Sequence, residues 1–216
     1  MTIRPASDRS LLVSFGDEIS IAAHHQVVRL TGRLAGSRGI LNLHPAFASV
    51  LVEFDPRRSG PSEIEALVRE RMASAGDWPA AGTRTVEVPV CYGGPSGPDL
   101  EDVARHAGLT PARVVELHAG VDYLVYFLGF ATCFVYLGGL PPAIATPRLP
   151  APRRSVPAGS VGIAGDQTGI YPLVSPGGWR LIGRTALPLF DPQASPPPLV
   201  RMGDRVRFVP VPESRH

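Results

Sequence analysis

Two hydrophobic periods alternate along the first ninety residues. Leu11 to Phe15 is a short apolar run, and after it Ala23, Val27, Leu30 and Leu34 recur at the spacing of one helical face. Asp17 or Ser20 can cap that helix, and Gly36 and Gly39 end it. The apolar runs Gly39 to Leu43 and Ser49 to Phe54 flank His44 to Ala48 and predict two antiparallel strands joined by a loop. In the second helix Ser62 and Glu65 form a capping box, and Ile64, Leu67, Val68 and Met72 share a face. Thr85 to Val90 predicts a further strand that either of two domains can claim. Counted with the first group, it gives βαββαβ, the order of a small ferredoxin-like layer of sheet and two helices.

The pattern breaks at residues 76–83, GDWPAAGT, where glycines and a proline mark the expected hinge. The predicted organisation is α+β, with a ferredoxin-like domain over residues 1–82 and a second domain over 83–216. The second opens with a loop, CYGGPSGPD, then a helix capped by Asp99 and another that Thr110 and Pro111 initiate, with His118 just past its end. Beyond His118 no long helical period recurs. Short alternating segments dominate, such as Val200 and Met202 before Gly203-Asp204 and Val206 and Phe208 after it, and predict a mostly β domain closed into a barrel. Residues 123–140 carry no charge and reach the lower length limit of a membrane span. Their glycines, aromatic and β-branched residues, and the lack of basic flanks, fit buried strands with tight turns better. The SPPPL run at 195–199 reads as a stiff surface loop.

Composition narrows the chemistry. An apolar fraction of 44% with 19% charged residues describes an ordinary globular protein. All 21 basic residues are arginine, so neither a Schiff-base lysine nor the lysine of a Walker A loop is available. The arginines are scattered and the net charge is +2, which argues against a nucleic-acid partner. Cys91 and Cys133 form no ligand spacing and read as free thiols of a cytoplasmic protein. The N-terminal apolar run is too short for a secretory signal.

The stretch from His118 to Thr185 is the most distinctive. It contains HAGVDYLVYFLGFATCFVYLGGL, then PR followed by PR, VPAGSVGIAG, IYP, SPGGW and IGRT. In these motifs the chain resembles the allophanate hydrolase subunit 1 family. It departs where the family carries Pro-Gly before the YLGGL-type segment, since Thr132 and Cys133 stand there. Losing that pair removes a turn that glycine makes cheaply and predicts an altered loop. The resemblance implies a cyclophilin-like barrel in the C-terminal half. It also implies the B position in an ATP-dependent 5-oxoprolinase that opens 5-oxo-L-proline to L-glutamate, with ATP and Mg2+ as co-substrate of the complex. The implied partners are the C subunit, similar to allophanate hydrolase subunit 2, and the A subunit, which is the lactam-utilisation protein, with no membrane role. Other branches imply a non-catalytic inhibitor of a sensor histidine kinase, or a component of the urea carboxylase and allophanate hydrolase type.

His118, the histidine within these motifs, is the candidate acid or base; a cap complementing the helix dipole is the competing use. His24 and His25 read as surface residues of the first helix. Arg148, Arg154 and Arg184 are candidates to grip a carboxylate or phosphate of substrate or nucleotide, and Arg153 lies beside them; ion pairs and loop anchoring are equally ordinary uses of arginine. Gln167, Thr168 and Tyr171 can line a polar pocket, with Ser160 a further candidate to bind substrate or nucleotide, and Phe130, Phe134, Tyr136 and Trp179 can form its apolar wall, although barrel aromatics also serve as core. Ser160 sits in AGSVG rather than in a nucleophile elbow. Gly159, Gly162 and Gly165 lack the order of a phosphate loop and predict a barrel corner instead. No metal-ligand spacing is present, and Cys133 reads as an inert thiol.

Overall fold

In the computed structural model, which describes residues 1–74, 84–129 and 132–212, the N-terminal sheet begins earlier than the hydrophobic pattern marks. Its strands are Thr2–Ser7 (β1), Ser10–Ser14 (β2), Ile40–Pro45 (β3) and Ser49–Phe54 (β4), ordered β1-β2-β4-β3. The helices Ile21–Leu34 (α1) and Pro61–Ala73 (α2) complete the unit Met1–Ala81. The order is therefore ββαββα, and Thr85 to Val90 is not its fourth strand. β1 escapes the apolar pattern because it is an exposed edge, with Arg4 and Pro5 where a central strand would need buried side chains and a full ladder. Val13, Val50, Val52 and Phe54 are fully buried beneath Val27, Leu30, Leu34 and Val68 of the helices.

Local signals fix the helices. Ser20 caps α1 by accepting from the Ala23 amide at 3.1 Å. α2 starts two residues before the expected capping box: Gly60 is the cap, and its amide donates to Glu63 Oε2 at 2.8 Å. Arg29 and Arg33 of α1 reach the free carbonyls at the end of α2, Arg29 donating to Ser74 O at 3.0 Å and Arg33 to Arg71 O at 2.6 Å. His24 is buried rather than on the surface. Burial, and then neighbouring His25, lower its pKa to about 4.

The second unit, Gly82–His216, is a closed seven-stranded barrel. Its strands are Thr85–Tyr92 (β5), Asp122–Gly129 (β6), Phe134–Gly138 (β7), Ser160–Ala164 (β9), Gln167–Ile170 (β10), Arg180–Arg184 (β12) and Arg205–Pro210 (β13). Around the barrel they run β10-β7-β6-β13-β5-β12-β9, and β13 pairs in parallel with β5, Arg205 beside Thr85. A two-stranded ribbon of Arg153–Val156 (β8) and Ser175–Gly177 (β11) lies outside the ring, and the helices are Leu100–Ala107 (α3) and Pro111–Ala119 (α4). The uncharged stretch 123–140 contributes the antiparallel strands β6 and β7, and no helix among the described residues is long and apolar enough to cross a membrane. Val200 and Met202 form no strand; β13 begins only after the Gly203-Asp204 turn. The expected hinge at 76–83 and Phe130 with Ala131 lie outside the described residues.

Alternation fills the barrel. Val88, Val90, Val125, Val135, Leu137, Val161, Ile163 and Ile182 point inward and are buried, with Val103 and Val114 of the helices against them. His118 lies among these residues in the last turn of α4, not beyond it, and has no exposed surface. Its ring stacks on Phe208 at 4.6 Å, its Nε2 is 2.9 Å from Thr168 Oγ1 and its Nδ1 is 2.7 Å from the Tyr92 hydroxyl. Thr168 gives its single hydroxyl proton to Gly162 O at 2.9 Å, so it must accept from His118. That assigns the proton to Nε2 and leaves Nδ1 to accept from Tyr92. A single neutral chain of three hydrogen bonds thus links β5, α4, β10 and β9, and Tyr123 anchors the helix end by donating to His118 O at 2.8 Å.

Burial in this chain lowers the His118 pKa from 6.5 to about 3. The unfolded chain therefore takes the proton first, so the stabilisation is complete above pH 6.5 and declines as pH falls from there toward 3. The expected slope from one such histidine is about 1.4 kcal/mol per pH unit. Denaturant titrations between about pH 7 and about pH 4.5 check this: His118→Gln should be destabilised near neutrality yet lose roughly one proton's worth of slope, and an unchanged slope would refute the assignment. A second expectation concerns Cys133, whose φ of 61° keeps the left-handed backbone of a glycine turn despite its Cβ. Cys133→Gly should gain about 1 kcal/mol and raise Tm by about 2–4 °C in a thermal scan.

Candidate functional site

The outer face of the barrel wall opposite the His118 chain carries a layer of aromatic rings. In β7, Val135 and Leu137 face inward, which turns Phe134 and Tyr136 outward. In β10, Thr168 and Ile170 face inward, so Gln167 and Gly169 lie on the outer face, with Gly169 opposite Tyr136. Phe134, Tyr171, Trp179, Leu181, Val156 and Ala164 form one buried cluster there, with half-buried Tyr136 at its margin.

Two glycines let this layer sit on the sheet. A Cβ at Gly169 would stand 3.0 Å from the Phe134 ring and 2.8 Å from Val135 O, and one at Gly162 would stand 3.0 Å from Trp179 Cβ. Gly162 therefore serves close packing within β9, while Gly159 and Gly165 make left-handed turns on either side of that strand. The rings meet edge to face: Phe134 and Trp179 at 5.3 Å and 76°, Phe134 and Tyr171 at 4.8 Å and 86°, Tyr136 and Trp179 at 6.0 Å and 67°. Each such pair contributes about 0.5–1.5 kcal/mol beyond its buried area.

One segment delivers a cation to this layer. Thr146 and Gly165 exchange backbone hydrogen bonds at 3.1 and 2.8 Å, the Leu149 amide donates to Gly178 O at 2.8 Å, and Arg180 Nε donates to Pro147 O at 3.3 Å. The Pro147-Arg148 span is thus held at both ends, and the Arg148 guanidinium lies over Trp179, 5.9 Å from the ring centre. Burial raises the hydroxyl pKa values of Tyr136 and Tyr171, and the nearby Arg148 charge opposes that rise in both.

The other expected residues separate from this group in distinct ways. Arg153 is committed to Asp99 at 2.7 Å, and Asp99 also accepts from the Leu181 amide at 2.7 Å instead of closing the cap of α3. Arg184 is exposed at the far end of β12 and donates to Ala158 O at 2.9 Å, an anchoring contact. Arg154 is exposed on β8. Ser160 is buried within β9 at 2% exposure. Gln167 is half-buried on the outer face, and Phe130 lies outside the described residues.

His118 does not face a cleft. Both ring nitrogens are hydrogen-bonded inside the barrel, to Tyr92 and Thr168, and burial lowers the imidazole pKa to about 3. Burial likewise raises the Cys133 thiol above its ordinary value, away from a reactive thiolate. Among the described residues no three His, Cys, Asp or Glu side chains gather to hold a metal. Arg180 ties the Arg148 segment to Asp102 at 3.3 Å, and its one signal in the sequence is its place directly after Trp179 in SPGGWR. The outer face therefore offers recognition groups, a fixed cation beside flat apolar rings.

Comparison with known proteins agrees with both halves of the fold. A model of the carboxyltransferase domain, subdomain C and D, matches residues 1–200. The 5-oxoprolinase B subunit of Bacillus subtilis (strain 168) is 43% identical over 223 residues, which covers 98% of this chain and 93% of that protein. The 5-oxoprolinase B subunit of Escherichia coli O157:H7 is 45% identical over 204 residues, covering 94% and 93%. Among solved structures, that of TTHA0988 superposes on 95% of this chain with a TM-score of 0.84 at 39% identity, and this chain spans 40% of its length. The urea carboxylase of Kluyveromyces lactis shares the fold, with a TM-score of 0.76 at 21% identity over 98% of this chain and 22% of its own. A match of one family model across both the small sheet and most of the barrel leaves one assignment: the chain belongs to the carboxyltransferase domain, subdomain C and D, family.

Proposed function

We propose that this chain is the B subunit of an ATP-dependent 5-oxoprolinase that opens 5-oxo-L-proline to L-glutamate. The observation that carries the reading is the near end-to-end identity of 43% and 45% with two proteins named as 5-oxoprolinase B subunits. The match to urea amidolyase of Lachancea kluyveri is weaker, 27% over a segment that makes up 13% of that protein, which favours the lactam reading over the urea one.

The chemistry explains why such an enzyme needs ATP. A five-membered lactam is an unstrained amide and a poor electrophile; phosphorylating its amide oxygen activates the ring carbon toward water, the tetrahedral adduct expels the ring nitrogen as the amine and so opens the ring, and the γ-glutamyl phosphate left behind loses phosphate when a second water attacks its acyl carbon. With ATP and Mg2+ as co-substrate of the assembly, this chain's part is recognition. Arg148 and Tyr136 present the groups that bind, and His118 acts through Thr168 and Gly162 to fix the wall behind them. The acid–base groups come from a second polypeptide, the C subunit similar to allophanate hydrolase subunit 2, with the lactam-utilisation protein, the A subunit, completing the reaction. Free Cys91 and Cys133 suit a reducing cytoplasm.

The test is reconstitution. This chain alone should hydrolyse no ATP in response to 5-oxo-L-proline, and the assembly with the A and C subunits should do so, with glutamate appearing in step with ADP. Activity in the isolated chain would remove the shared-site reading, and an inert complete assembly would remove the 5-oxoprolinase assignment.

A further inference from the structure

Arg148 is held differently from the arginines around it. Arg153 and Arg180, its neighbours at the aromatic layer, are ion-paired with Asp99 and with Asp102, the latter shared with Arg105. Arg148 makes no ion pair among the described residues, yet its backbone is clamped by the Thr146–Gly165 pairing, the Leu149 amide and Arg180. Its exposed guanidinium rests on Trp179, which is itself only 5% exposed, so the indole backs the cation and leaves its outer edge open. Half-buried Tyr136 stands beside it, at 67° to the Trp179 ring. A planar cation whose chain is already ordered and whose charge is uncompensated binds an oxyanion with little further entropy loss.

Resting on the 5-oxoprolinase reading, we propose that Arg148 reads the α-carboxylate of 5-oxo-L-proline while the flat lactam ring packs against Tyr136. The carboxylate is the feature that distinguishes this substrate from a simple lactam, and a guanidinium fork donates to its two oxygens side by side. A lactam lies flat on an aromatic face without needing a charge. Arg148 is thus the specificity determinant of the site, and the amide end of the ring points away from it toward the groups of the companion polypeptide.

The experiment uses the reconstituted assembly with Arg148→Gln and Arg148→Lys in this chain, with 2-pyrrolidinone, the same ring without the carboxylate, as inhibitor. The expected result for Arg148→Gln is a KM for 5-oxo-L-proline raised on the order of ten- to a hundredfold, the effect of losing a charge-assisted pair. The inhibition constant of 2-pyrrolidinone and the KM for ATP should stay within about twofold, and Arg148→Lys should fall between wild type and Arg148→Gln. An unchanged KM for 5-oxo-L-proline overturns the proposal, and so does a rise confined to the KM for ATP, which would make a phosphate the bound anion. If the wild-type assembly is inert toward 5-oxo-L-proline, the functional reading falls and the site is judged by binding to this full chain. There, with Trp78→Phe leaving Trp179 as the single indole, fluorescence should respond to 5-oxo-L-proline, not to 2-pyrrolidinone, and the response should vanish in Arg148→Gln. No response at millimolar ligand overturns the proposal.

Discussion

A strand face can carry large rings only where the strand beside it gives up its own side chains, and that steric exchange organises the second unit. Gly169 lies under Phe134 and Gly162 under Trp179 Cβ, at separations where a Cβ would force its neighbours to shift. The barrel wall is consequently packed on both sides, with aliphatic residues inside and edge-to-face rings outside. The loop 146–149 is anchored through Gly165, just after β9, and Gly178, next to Trp179, so the position of Arg148 follows from how the rings settle. Binding groups and core are therefore one construction, and a change in either layer is felt in the other.

The neutral chain through His118 does for the inside what the glycines do for the outside. Strand β5, helix α4 and the β9–β10 hairpin are far apart in sequence, and the Tyr92, His118 and Thr168 side chains join them with every polar atom used. Such a network is costly when half satisfied and specifies a unique packing when complete. Thr168 and Gly169 are adjacent, one reaching inward to the imidazole and the other lying beneath Phe134, so the two devices share a strand.

Much of the fold was legible in the chain. The period of α1, the cap at Ser20, the Thr110-Pro111 start, the apolar run of β4 and the Val206 and Phe208 alternation of β13 are local features, and the structure follows them. β1 was hidden because an edge strand with Arg4 and Pro5 lacks a buried face, and the start of α2 was displaced because Gly60 caps through Glu63 without a side chain of its own. The site was less legible. Motif resemblance pointed to His118, Arg148, Ser160 and Arg184 alike, but the two faces of a barrel strand are read from register. Only the pairing of Thr168 with Leu137 and of Gly169 with Tyr136 separates the buried imidazole from the outer rings. The ion pairs that set Arg148 apart were equally hidden, since Asp99 and Asp102 lie some fifty to eighty residues from their partners Arg153 and Arg180.

The parallel ladder between β13 and β5 sets the order in which the two units can form. The sheet of the first unit is complete once its first 54 residues exist, and its contacts are short in sequence. The ring of the second cannot close until Arg205–Pro210, nearly the last described residues, slot between β5 and β6. During synthesis the N-terminal layer can therefore be finished while the barrel is still open at β5 and β6, and the apolar interior is sealed only once β13 has emerged.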